Sequence, residues 1–196
     1  MKKKLRLPPE ERKKQLEKCI IKAVSKYGIS RVTHSHVAKL AGVSVSTVHF
    51  YFKKRKDLVA SAVKQVEDYL IDLFTRSLNQ KSSVKALEDL AENFLDDGFS
   101  NTNLMRVWLD WSVGVRENNV WKDYQRLQDE LHKMVRTVLS RAKREKLLPS
   151  NFDTLSAARV YIGTGHTLQL MVLNGHNKKE IMLAQKTLIR SVFLQK

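Results

Sequence analysis

Residues 33–52 read THSHVAKLAGVSVSTVHFYF, and this stretch decides the fold. It opens on Thr33, a residue type that caps helix N-termini, and runs to Gly42, which can take the left-handed backbone that ends a helix and turns the chain sharply. Val43 is an apolar plug for the turn, and Ser44 can cap a second short helix over Val45 to Phe52. Two short helices joined by such a turn form a helix-turn-helix, whose second helix enters the DNA major groove.

Spacing predicts the facing of that second helix. Val48 and Phe52 lie four apart and are expected to pack back onto Ala38, Ala41 and the preceding helix. Val45, Ser46, His49 and Phe50 then face outward, with Thr47 and Tyr51 at the flanks. The hydroxyls of Ser44, Thr47 and Tyr51 suit phosphate contacts, Ser46 and His49 suit base edges, and Val45 suits a thymine methyl. Lys53, Lys54, Arg55 and Lys56 follow, where they would neutralise backbone phosphates. The basic arm with Lys4 and Arg6 could enter a neighbouring minor groove.

Upstream, Leu16, Cys19, Ile20, Ala23, Val24 and Tyr27 form one helical stripe between Pro9 and Gly28. Downstream, a long amphipathic helix starts near Asp57 with Val59, Ala62, Val63, Val66, Leu70, Leu73 and Phe74 inward. Further helical patterns cover roughly 83–98, 102–117, 121–146, 153–174 and 178–194. The expected architecture is all-α: a three-helix domain over 1–56 with its basic arm, and a bundle of about six helices over 57–196.

Charge agrees with that division. The chain of 196 residues has a formal net charge of +16, yet residues 1–66 hold 17 Lys/Arg against 4 Asp/Glu, while the remainder holds 19 against 16. Such a surface is drawn to polyanions, nucleic acid or acidic membrane, although a basic helical hairpin with an idle surface carries the same signature. No apolar run is long enough to span a membrane, and no apolar stretch follows the N-terminal charges as in a secretory signal. A cytoplasmic protein is expected. Its single cysteine, Cys19, excludes an intramolecular disulfide and reads as a core thiol.

No enzyme is expected. Gly163-Thr164-Gly165-His166 lacks the lysine and the preceding strand of a phosphate loop, and His34, His36 and His49 have no matching ligands for a metal. No cofactor is implied.

Thr33, Ala38, Gly42-Val43-Ser44, Thr47, Tyr51-Phe52 and Asp57-Leu58 resemble the N-terminal domain of TetR-type transcriptional regulators. Ser44-Val45-Ser46-Thr47-Val48, Val107-Trp108-Leu109-Asp110-Trp111-Ser112 and Arg116 to Trp121 resemble, more narrowly, the LuxR/HapR quorum-sensing regulators of vibrios. The resemblance implies a homodimer on a pseudo-palindromic operator in double-stranded DNA. It carries base and phosphate contacts onto Ser44, Val45, Ser46, Thr47, His49, Phe50 and Tyr51, and minor-groove contacts onto Lys4 and Arg6. Two departures stand out: the subgroup usually has Phe at the place of His49 and Asn at the place of Phe50. The arm also has Lys4 where Arg is usual, a point charge instead of a fork.

The last two helices offer wide apolar faces for pairing, with Leu168 and Met171 on one and Ile181, Ala184, Leu188 and Val192 on the other. The alternative is that these stripes face only their own core. The middle of the bundle, where TetR-type proteins hold effectors, places a possible small apolar ligand among Leu73, Phe74, Leu104, Trp108, Trp111, Gly165 and His166. A dry packed core accounts for the same residues. Two further functions remain open on residues alone: a binder of nucleic acid or acidic surfaces without sequence preference, and a small-ligand carrier.

Overall fold

The computed structural model describes residues 7–114 and 118–193, and among them the secondary structure is entirely helical. In chain order the helices are α1 (Pro9–Tyr27), α2 (His34–Ala41), α3 (Val45–Tyr51), α4 (Arg55–Leu78), α5 (Ser83–Ser100), α6 (Thr102–Gly114), α7 (Asn118–Arg144), α8 (Thr154–Leu173) and α9 (Lys178–Phe193). The expected three helices followed by six are all present.

α1 begins where sequence chemistry places it, with Pro9 in the first turn and Glu10 and Glu11 at the positive end of the dipole. Leu16, Ile20, Ile21, Ala23 and Val24 bury its inner face, while Cys19 and Tyr27 are half-buried at the margin. α4 starts at Arg55, two residues before the expected Asp57. Asp57 sits in its first turn and accepts the Lys54 backbone N–H at 2.8 Å, so it closes the helix end without starting it. All seven apolar residues expected on the inner side of α4 are buried.

The elements enclose one continuous core. α1, α2 and α3 pack as a cluster, and the long α4 runs from α1 into the body, where α5 and α7 lie against it. α6 is wedged between α1, α4, α5 and α8, and α9 closes the far side on α5 and α8. α6 therefore touches both the helix-turn-helix cluster and the body. Among the described residues no helix is long and apolar enough to cross a membrane.

Candidate DNA-reading surface

The turn between α2 and α3 forms as its residues dictate. Thr33 Oγ1 accepts the His36 N–H, and Gly42 adopts φ 65° and ψ 35°, the left-handed geometry that glycine takes at least cost. The Val43 N–H closes back onto the Ala38 carbonyl at 3.1 Å, and the Val43 side chain is half-buried against the core. Ser44 Oγ then caps α3 by accepting the Thr47 N–H at 3.2 Å.

α3 presents the face that the spacing predicts. Val48 and Phe52 are buried, whereas Val45, Ser46, His49 and Phe50 are exposed and Thr47 and Tyr51 are half-buried. Phe50 is 76% exposed, a large apolar ring outside the core; among the described residues its ring meets the edge of Tyr51. Ser44 Oγ lies 2.8 Å from both Ser46 Oγ and Thr47 Oγ1, so the three hydroxyls form one cluster at the start of the helix. His49 is held against His34, with ring centroids 3.8 Å apart and planes 12° from parallel.

Of the four cations after α3, Lys53, Lys54 and Lys56 are exposed. Arg55, expected among the phosphate ligands, is half-buried, and its Nη1 donates to the Ile29 carbonyl at 2.7 Å. Its charge-assisted bond ties the start of α4 to the α1–α2 connection. Lys4 and Arg6 lie outside the described residues.

One cation escaped the sequence reading. Arg12 of α1 shares an open groove with Leu7, Ser46, Thr47, Phe50 and Tyr51, and its Nη1 bonds Gln15 Oε1 at 2.5 Å. Gln15 in turn donates to the Ala41 carbonyl at 3.2 Å. The signal was present: Arg12 falls four residues before Leu16 on the apolar stripe, where a charge has no place unless it faces something outside the core.

In the body, a cavity of about 30 Å³ is lined by Phe74, Trp108, Tyr161, Gly165 and Gln185 among others. That is room for a water or two, far below the roughly 300–1,000 Å³ of small-molecule pockets. Three of the seven expected ligand residues, Phe74, Trp108 and Gly165, line it. Leu73 and Trp111 are fully buried in packing elsewhere, the Trp111 indole N–H donating to the Val120 carbonyl at 2.8 Å. Leu104 is half-buried against the core, and His166 lies behind Trp108 at 4.4 Å between ring centroids. Burial pushes the His166 imidazole below its ordinary pKa, the Ile162 backbone opposing weakly.

The expected pairing surface is corrected in two places. Leu168 and Ile181 are buried in the chain's own core and have no area left for a second copy. Met171 and Leu188 are half-buried, Ala184 is exposed, and the Val192 side chain lies outside the described residues. The outward faces carry other residues: Val160 (54% exposed), Gly163 and Leu170 on α8, and Leu183 (68% exposed) on α9. Among the described residues no cluster of His, Cys, Asp or Glu could hold a metal ion. Burial raises the pKa of the Cys19 thiol, which Lys22 opposes, as befits an unreactive sulfur.

Fold and surface together define a helix-turn-helix protein with an all-helical body. Residues 21–62 match the model of the bacterial regulatory proteins of the tetR family. The transcriptional regulator LuxR of Vibrio harveyi is 29% identical over 120 residues, which are 59% of this chain and 57% of that one. The chain spans little more than half the length of the curated relatives it matches first. A TetR-like transcriptional regulator from Rhodococcus sp. RHA1 superposes with a TM-score of 0.79 at 16% identity, covering 95% of this chain and 98% of that one. FadR of Bacillus subtilis, crystallised with stearoyl-CoA, superposes at 0.75 with 15% identity, covering 92% and 97%. Residues 21–62 are thus similar to the N-terminal domain of the tetR family, and the chain as a whole has the fold of these solved regulators.

Proposed function

We propose that the chain is a sequence-specific DNA-binding transcription regulator that acts as a homodimer in the cytoplasm. The observation that carries this reading is α3 itself. Its inner residues are buried while Val45, Ser46, His49 and Phe50 stand outward together, beside Lys53, Lys54 and Arg12. Base edges are read by the outward side chains, and the cations and hydroxyls hold the phosphates. Lys4 and Arg6 add the minor groove.

One such helix reads too few base pairs for useful specificity, so two copies engage two half-sites. The proposed pairing surface is the outward face of α8 and α9, with Val160, Leu170, Leu183 and Ala184. Gly163 supports it, since a Cβ there would meet nothing within 4 Å and another helix could come close. Regulation by a small apolar effector is part of the proposal, and the cavity beside Trp108 would have to widen to admit one. A link to quorum sensing rests on the likeness to the vibrio relative. No catalytic role is proposed.

Selection of bound fragments from random duplex DNA tests the reading. A palindromic consensus with half-sites about one helical turn apart supports it. Binding without any consensus at physiological salt favours a nucleic-acid binder driven by the cations of residues 1–66 alone.

A further inference from the structure

We propose that His34 is a positioning residue: it fixes the ring of His49 in the orientation in which His49 reads a base. The inference rests on the reading of α3 as the major-groove helix. His49 is exposed on the outward face of α3, where an imidazole without neighbours would sample several rotamers. Here its ring lies nearly parallel to that of His34, with centroids 3.8 Å apart and planes 12° from parallel. His34 is the first residue of α2, so the contact joins the start of one helix to the outer face of the other.

The His34 ring is fixed in its own right. Its Nε2 lies 2.7 Å from the carbonyl oxygen of Phe52, the residue that ends α3. A carbonyl can only accept, so Nε2 carries the hydrogen and the ring plane is set by that bond. Phe52 is buried and therefore a firm anchor. A continuous path runs from Phe52 through His34 to His49, and it leaves the edge of the outer ring for the duplex. A neutral imidazole presents one donor and one acceptor, and the donor can meet an acceptor on a base edge, such as guanine N7 or O6. Ordering that ring before DNA arrives removes part of the entropy cost of the contact.

The test uses the full chain and selection from random duplex DNA, comparing wild type with His49→Ala, His34→Ala, His34→Phe and the double variant His34→Ala/His49→Ala. His49→Ala is expected to lower discrimination at one position per half-site about fivefold, the worth of one hydrogen bond. His34→Ala is expected to flatten that same position and spare the others, and the double variant to be no worse than His49→Ala. His34→Phe, which restores a stacking face, should recover part of the loss; it also carries the test if His34→Ala does not fold. In the DNA-free protein, ¹⁵N spectra should show His34 protonated at Nε2. The proposal is overturned if His34→Ala weakens every position equally, if it leaves the His49 position unchanged, or if the two substitutions add. Wild type selecting no consensus overturns the DNA-reading function itself, a result distinct from all of these.

Discussion

Asp110 of α6 accepts a hydrogen bond from the backbone N–H of Ile29 at 2.6 Å, across 81 residues of sequence. The carbonyl of the same Ile29 accepts from Arg55, so one residue of the α1–α2 connection is held from α6 and from the start of α4 at once. Gly28 precedes it with a φ of 84°, a backbone that suits glycine, while a Cβ there would make only an ordinary contact with Asp110 Oδ2 at 3.6 Å. α6 also carries Trp108, which lines the cavity. One helix therefore both lines the cavity and bonds the connection that leads into α2.

Asp110→Ala removes a charged acceptor and leaves a part-buried backbone donor unmet. A bond to a charged group is worth about 1.5–3 kcal/mol, which for a chain of this size corresponds to a fall of roughly 3–12 °C in Tm. Asp110→Asn keeps an acceptor and should lose less. Thermal unfolding followed by circular dichroism decides it; equal losses for the two variants would deny the bond its role.

Lys53 and Arg55 are two residues apart and should behave differently. Lys53→Ala is expected to weaken DNA binding alike on all sequences and to reduce the salt slope by about 1, with Tm unchanged. Arg55→Ala is expected to lower Tm, because Ile29 loses its partner, and to leave the salt slope near that of wild type. Fluorescence anisotropy over a salt series, with a melting curve for each variant, separates the two.

This contrast marks what could be read from residues alone. The helix-turn-helix was legible because its signals are local: Thr33, Gly42 and Ser44 each act within four residues, and the inward pair Val48 and Phe52 follows from helical period. The bond from Arg55 to Ile29 is not legible in the sequence, because that carbonyl is distant along the chain and nothing in a run of cations says which one turns inward. Leu168 and Ile181 were misplaced for a related reason. An apolar stripe reports that a face is covered, whether by the same chain or by a second copy, and here it is the same chain that covers it. Only three of the seven candidate ligand residues line the cavity, because an aromatic cluster at helical spacing looks the same packed or hollow; the arrangement of α4 to α9 around it sets its size.

Gly165 offers a test of that packing. It lies inside α8, and a Cβ there would meet Trp108 Cη2 at 3.5 Å, an ordinary contact. Gly165→Ala should therefore stabilise the chain by about 0.5–1 kcal/mol through helix propensity, raising Tm by roughly 1–4 °C. If the cavity widens for an effector, the same substitution should reduce the response to it. A lower Tm would mean that the space beside Trp108 is tighter than its geometry implies.

Two histidines of the body give stability a pH dependence. Burial lowers the pKa of His166, and burial with Arg159 nearby lowers that of His132 against the pull of Asp129. Both stay neutral in the folded chain at a pH where the unfolded chain, titrating near about 6.5, already takes up protons. Protons then favour the unfolded state, so stability is full above that pH and declines as pH falls through and below it. His166→Phe should flatten the decline in Tm without needing to raise its plateau. An unchanged slope would assign the dependence to other groups.

Leu183 and Ile181 are two residues apart on α9 yet face opposite ways, which makes them a matched pair for the dimer. Ile181 is fully buried and Leu183 is 68% exposed. Ile181→Glu would place a charge in the core and is expected to unfold the chain. Leu183→Glu leaves that core alone, so the monomer should keep its helicity and stay folded. A pair of copies meeting on the outward faces of α8 and α9 would instead bury the new carboxylate on both sides, and the dimer should dissociate at least tenfold more readily by sedimentation equilibrium. Operator affinity should drop with it, because each copy then binds its half-site alone. A dimer of undiminished stability would move the pairing surface away from these two helices.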